Sequence, residues 1–200
     1  MNEATARRVL CKACSKLYDK GLLVSAGGNV SIRFDDGILI TPSGRNKGSL
    51  LPKDLVKMSV DGNVIGNGRP SVEHKFHLTL YGSRNEVNAV VHCHPLCCTA
   101  LAVKGENIRS DLTPEGVILL GDVPTVPYRT PGSEELVTEI AKISRFNAAL
   151  MESHGAVTQG RTMEEACNRM EELEFQAHLQ LTVGNARGLS AEEIRKLKMM

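Results

Sequence analysis

The chain has 200 residues, with 24 basic and 23 acidic side chains and a formal charge of +1. That length predicts one domain over residues 1–200, with enough chain to bury a single core. No like-charged block or basic stripe stands out, so neither nucleic acid nor anionic membrane is expected as a partner.

No apolar run approaches the roughly 18–20 residues that span a bilayer. The opening MNEATARRVLCKAC lacks the unbroken apolar stretch of a signal peptide. A cytoplasmic protein follows, with its six cysteines mostly reduced.

A first helix is predicted from about Thr5 to Lys20, with Ala6, Val9, Leu10, Ala13 and Leu17 at helical spacing and Gly21 as its stop. Cys11 and Cys14 form a Cys-x-x-Cys on this helix. Without a second pair at zinc-ribbon spacing they read as small apolar helix residues. Two hairpins come next, NVSIRF/GILIT around Asp35-Asp36-Gly37 and LVKMSV/NVIG around Asp61-Gly62, because Asp-Gly between β-rich runs is a strong turn signal.

A second helix is predicted to open at Ser71, as N-cap, and to continue through EHKFHLTLY. The strand VNAVVHCH follows, then a short helix from Pro95 to before Gly105. GVILLG and PTVPY read as strands, Ser133 caps a helix, and ALMES and GAVTQ read as two more strands. Thr162/Glu165 and Ser190/Glu193 have capping-box spacing, for the last long helix and a short terminal one. Strands that follow one another as hairpins favour an α/β (α+β) domain: a largely antiparallel sheet flanked by helices.

His92 and His94 are two apart on a strand, so they share a face while Cys93 points opposite. They can reach one metal ion, or simply be solvated at a strand end. His154 also ends a strand, before Gly155. If both strand ends meet one cleft, three imidazoles converge, and three ligands with an open position is the pattern of a catalytic zinc. Glu73 reads either as an acidic residue complementing a helix N-terminus or as a carboxylate at the metal. His74 and His77 complicate this: Glu73 and His77 share a helix face, but no third helical ligand accompanies them.

SAGGNVS places Gly28 and Asn29 before a strand, and TPSGRNKG places Ser43 and Gly44 after one. Such loops can offer N–H groups and hydroxyls to a phosphate, or can merely turn. Arg45 and Lys47 add charge nearby or are solvated. Neither loop matches a P-loop or a dinucleotide fingerprint, so ATP and NAD are not expected.

Together, SAGGNVSIR, ILITPSG, RPSVEHKFHLTLY, VNAVVHCHP, VPYRTPGS and ESHGAV resemble the zinc-dependent class II aldolase/adducin-head family, in that family's order and over nearly the whole chain. The resemblance implies a central, mainly antiparallel sheet between helical layers. It also implies one Zn2+ per subunit on His92, His94 and His154. Glu73 would be the acid/base residue and a fourth ligand when substrate is absent. Gly28, Asn29, Ser43, Gly44 and Ser71 would line the phosphate of a phosphorylated sugar. The implied assembly is a homotetramer with active sites between subunits.

The implied reaction is cleavage of a ketose 1-phosphate, of the L-fuculose-1-phosphate type, to dihydroxyacetone phosphate and an aldehyde. Sister reactions are 4-epimerisation, dehydration of a thio-sugar phosphate and decarboxylation of a keto-acid phosphate. A non-catalytic module like the adducin heads is the reading from another class; it has no need of the three histidines and Glu73. The chain departs from the family at three places. Val72 stands where aldolases often carry a second serine, residues Arg109 to Gly116 hold no tyrosine, and the stretch up to Met200 lacks the late tyrosine of some members.

Overall fold

A computed structural model describes residues 1–35 and 37–199. Eight strands form one sheet in the order β4-β3-β2-β1-β5-β8-β7-β6. They are β1 (Asn29–Phe34), β2 (Gly37–Ile40), β3 (Val56–Ser59), β4 (Val64–Ile65), β5 (Ala89–Cys93), β6 (Thr125–Val126), β7 (Ala148–Met151) and β8 (Gly155–Gly160). Every pairing is antiparallel except β6 with β7. Both expected hairpins form; within the first turn, Asp36 lies outside the described residues. Pro124 and Pro127 bracket β6 and hold it to two residues, since proline cannot donate to a ladder.

The helices are α1 (Glu3–Asp19), α2 (His74–Ser83), α3 (Leu96–Lys104), α4 (Glu134–Ile143), α5 (Met163–Val183) and α6 (Ala191–Leu197). Side chains of α1, α3 and α5 bury one face of the sheet together with Val30, Ile32, Val91, Cys93 and Ala156. Those of α2 and α4 bury the other, with Phe76, Leu80, Val90, Leu136 and Val157. The alternation along β5 is what separates the two cores. Ala89, Val91 and Cys93 face α1 and α5, while Val90 faces α2.

Several ends follow sequence chemistry. α1 starts two residues earlier than expected because Asn2 accepts from the Thr5 N–H at 2.9 Å. Ser133, Thr162 and Ser190 each cap their helix, and Gly105 closes α3 in the left-handed conformation. The reciprocal bond from Glu165 goes to Arg161 N–H rather than to the Thr162 N–H, so the box there is displaced by one residue.

Two expectations fail. GVILLG is a π-helical turn, Gly116–Leu120, not a strand. Its buried apolar side chains, Val117 and Leu120, are three apart while Ile118 is exposed, which is helical and not alternating burial. Ser71 does not cap α2 either. Its carbonyl accepts from His74 N–H, its hydroxyl accepts from Glu73 N–H, and the helix begins three residues later. No helix among the described residues is long and apolar enough to cross a membrane.

Candidate metal centre

The site lies at one end of the central strands, where β5 ends, β1 and β8 begin and β7 turns into β8. Register brings the parts together: Asn29 pairs with His92, and Cys93 with Ala156. His154 sits in the two-strand turn between Met151 and Gly155. Ser153, just before it, has φ of 51°, a strained left-handed conformation of the kind that persists where surroundings over-determine it. The loop Pro42–Gly44 is joined to the segment 69–71 by a bridge from Pro42 to Pro70, by Ser43 N–H to Arg69 O and by Ser71 N–H to Thr41 O. That anchoring delivers Glu73 to the same end of the strands.

One ring nitrogen from each of His92, His94 and His154 lies within 4.8 Å of the others. His92 and His94 approach to 3.1 Å between Nε2 atoms. The Nδ1–H of His92 donates to Ala156 O at 2.9 Å, which turns Nε2 into the site. Glu73 closes the group, with Oε2 3.3 Å from His92 Nε2 and Oε1 3.6 Å from His154 Nε2. Cys93, between the two histidines, is buried in the opposite core, as strand alternation requires.

Glycines make this crowding possible. A β-carbon on Gly155 would sit 2.5 Å from Cys93 O and 2.6 Å from His94 Cδ2. On Gly28, with φ of +69°, it would meet His92 O at 2.6 Å.

The electrostatics ask for positive charge. Burial opposes ionisation of Glu73, but His92, then His154 and the Asn29 amide, outweigh it and hold the carboxyl well below the usual range. Burial pushes His94 down to about 3 and His154 to about 4, each helped by the His92 charge. Burial works against charge on His92 too, yet Glu73 raises it. The cluster thus favours the charged carboxylate at Glu73 and disfavours charge on His94 and His154. Glu73 Oε1 is buried without a hydrogen-bond partner, an arrangement that costs about 1–3 kcal/mol or more for a charged group. Three imidazole nitrogens and an unpartnered carboxylate oxygen fit a divalent cation.

The other site residues fall in two groups. Gly28, Ser43, Gly44 and Ser71 lie on the converging loops, and Gly44 has open space around it. The Asn29 amide is engaged instead by Glu73 and His77, accepting from the latter at 2.5 Å and donating to the former at 2.8 Å. His77 faces β1 and not the three histidines, while His74 bonds Ser71 O. Sequence reasoning missed Lys47 as a buried residue. Its Nζ donates to Ala26 O at 2.7 Å and to Arg45 O at 2.8 Å, tying the two glycine loops together. A cavity of about 420 Å³ lined by Arg33, Phe34 and Arg161 lies at the far end of β1 and touches none of these groups.

Known proteins resemble the chain over most of its length. The model of the Class II Aldolase and Adducin N-terminal domain family matches residues 8–181. The L-fuculose phosphate aldolase of Methanocaldococcus jannaschii is 39% identical over 175 residues, covering 88% of this chain and 95% of the relative. The 3-oxo-tetronate 4-phosphate decarboxylase of Escherichia coli strain K12 is 36% identical over 204 residues, covering 98% and 96%. The crystal structure of YgbL from Escherichia coli superposes with a TM-score of 0.92 at 34% identity, over 98% of this chain and 99% of that one.

Proposed function

The chain belongs to the family of class II aldolases and adducin N-terminal domains, and from that membership and the site geometry we propose that it is a divalent-metal-dependent lyase. It would break a carbon–carbon bond beside a carbonyl of a phosphorylated sugar, with zinc as the metal. The first reading of the reaction is aldol cleavage of a ketose 1-phosphate of the L-fuculose-1-phosphate type. The observation that carries the proposal is the buried, unpartnered Oε1 of Glu73 beside three converging imidazoles.

His92, His94 and His154 would hold the metal, with Glu73 as a fourth ligand until substrate arrives. A divalent ion bound there polarises a carbonyl and stabilises the negative charge that bond cleavage leaves on the substrate. Glu73 would then carry a proton to or from the reacting carbon through Oε1. Gly28, Asn29, Ser43, Gly44 and Ser71 would hold the phosphate through N–H groups and hydroxyls. Lys47, pinned beneath both loops, would keep them in register and add charge behind them. A phosphate held this way fixes the carbon skeleton against Glu73.

Decarboxylation of a 3-oxo acid phosphate is a second reading, and a specific observation favours it. Aldol cleavage must also remove a proton from the hydroxyl that becomes the aldehyde. Residues 109–116 offer no tyrosine for that task. Tyr81 is buried in a hydrogen-bonded network, Tyr18 accepts from Asn46, and Tyr128, just after β6, is half exposed. Loss of carbon dioxide needs no such group, only one proton delivered to carbon.

The same proposal makes residues 1–200 one catalytic domain of a cytoplasmic homotetramer with sites between subunits. Metal analysis followed by a substrate panel tests the reaction. Dihydroxyacetone phosphate released from a ketose 1-phosphate supports the first reading, and carbon dioxide released from a 3-oxo acid phosphate supports the second. Protein that binds no divalent metal and turns over neither class overturns both and favours an interaction module.

A further inference from the structure

From Glu73 Oε2, which also lies 3.3 Å from His92 Nε2, a line of polar side chains runs between β1 and α2 through an otherwise apolar layer. Asn29 and Ser31 are two apart on β1 and share a face. Glu73, His77 and Tyr81 follow at intervals of four along α2 and its entry, and so share the opposing face. Tyr81 Oη lies 2.7 Å from Ser31 Oγ, and Ser31 Oγ 2.7 Å from His77 Nδ1. His77 Nε2 lies 2.5 Å from Asn29 Oδ1, and Asn29 Nδ2 2.8 Å from Glu73 Oε2. All five residues are at least 95% buried. Phe76 stacks on the His77 ring, with centroids 4.5 Å apart, and Arg33 holds the Tyr81 carbonyl at 2.6 Å.

Chemistry leaves this line one direction. A carboxylate only accepts, so the Asn29 nitrogen must donate and its Oδ1 must accept. His77 Nε2 therefore carries a proton. Burial, and then the neighbouring His92 charge, lower the His77 pKa to about 3, so the ring is neutral and its Nδ1 is bare. That nitrogen accepts from Ser31, whose oxygen in turn accepts from the Tyr81 hydroxyl.

We propose that Tyr81, Ser31 and His77 are positioning residues that hold the Asn29 amide with its nitrogen toward Glu73. This commits Oε2 and leaves Oε1 as the oxygen that meets substrate. The inference rests on Glu73 as the proton-transfer group of the reaction proposed above. Without the His77 N–H, Asn29 Oδ1 is left buried without a donor, and the contact to Oε2 alone holds the amide in place. In a buried line each member's orientation depends on the next, so an absent hydroxyl at Tyr81 is felt at Glu73.

The first test needs no substrate. Nitrogen-15 NMR of the zinc-loaded protein should find His77 neutral with its proton on Nε2; a proton on Nδ1, or on both nitrogens, overturns the relay. The second uses whichever substrate the panel identifies. Tyr81→Phe, which removes only the hydroxyl, should lower kcat about tenfold with KM and metal content unchanged, as loss of an outer partner does. His77→Leu should lose more, and His77→Gln, whose amide can still donate to Asn29, should recover most of it. A purely structural role would lower Tm in both His77 variants without separating kcat from KM. Equal losses in Gln and Leu, or an unchanged kcat in Tyr81→Phe, would overturn the positioning role. If the panel shows no turnover, the proposed reaction fails, while the tautomer still decides the relay.

Discussion

The two oxygens of Glu73 look onto halves of the site built on opposite principles. On the Oε2 side, each polar atom from Asn29 to Tyr81 has its partner. On the Oε1 side, acceptors outnumber donors: Oε1 has no hydrogen-bond partner, and two imidazole nitrogens meet at 3.1 Å. A satisfied buried network rigidifies, whereas an unsatisfied one stores a demand for something the chain itself does not supply. One half holds the carboxylate still; the other is where a cation and substrate would answer the demand.

Glu73→Gln strikes the boundary between the halves and has the largest expected effect. An amide of nearly the same shape retains the contact to Asn29 but cannot accept a substrate proton. kcat should fall about 10²–10⁴-fold, the range for loss of a general acid–base group. Metal content, measured by elemental analysis, should stay near that of the parent because the three imidazoles remain. An unchanged kcat would remove Glu73 from proton transfer and leave the comparison between its oxygens without chemical meaning.

His94→Ala breaks only the unsatisfied half. Its ring touches His92 and packs on Gly155, and it makes no contact with the relay. The expected result is loss of bound metal and a fall of about 10²–10³-fold in activity, as when an electrostatic stabiliser is removed. Because the ring is partly exposed, folding should survive, which thermal unfolding would verify. A variant that kept both metal and activity would show that the convergence of imidazoles is not the reaction centre.

Which parts of this were legible beforehand follows from the range of the interactions. Helices α1, α4 and α5, both hairpins and most caps come from local periodicity and short-range turn chemistry. The π-turn at Gly116–Leu120 did not, because four apolar residues in a row hide whether burial repeats at two or at three. His92 with His94, and Glu73 with His77, stood out as pairs on shared faces, and the glycine loops as turns. What pairs with what depended on register. Only the pairing of β1 with β5 sets Asn29 beside His92, and only the packing of α2 on β1 turns His77 toward Ser31. Ser31 and Tyr81 therefore looked like ordinary strand and helix residues. Lys47 read equally as a charge near the loops or as solvated, because nothing nearby in sequence reveals a burial produced by two loops folding over it.

The smallest expected effect concerns Cys93, which sequence places between two histidines but the fold places in the other core. A thiol is a good metal ligand, so the segment His92-Cys93-His94 invites a three-residue clamp. The structure argues otherwise: Cys93 lies with Cys14 and Ala156 behind the sheet, and burial raises its pKa well above the ordinary thiol value. Cys93→Ala should remove one packed sulfur and destabilise the protein by about 1–2 kcal/mol, at the low end for large-to-small core changes. Metal stoichiometry and KM should match the parent, since neither half of the Glu73 site touches that sulfur. A drop in metal content at unchanged Tm would mean that the strand presents all three side chains to one side. It would contradict the alternation of β5 on which the separation of core and site depends.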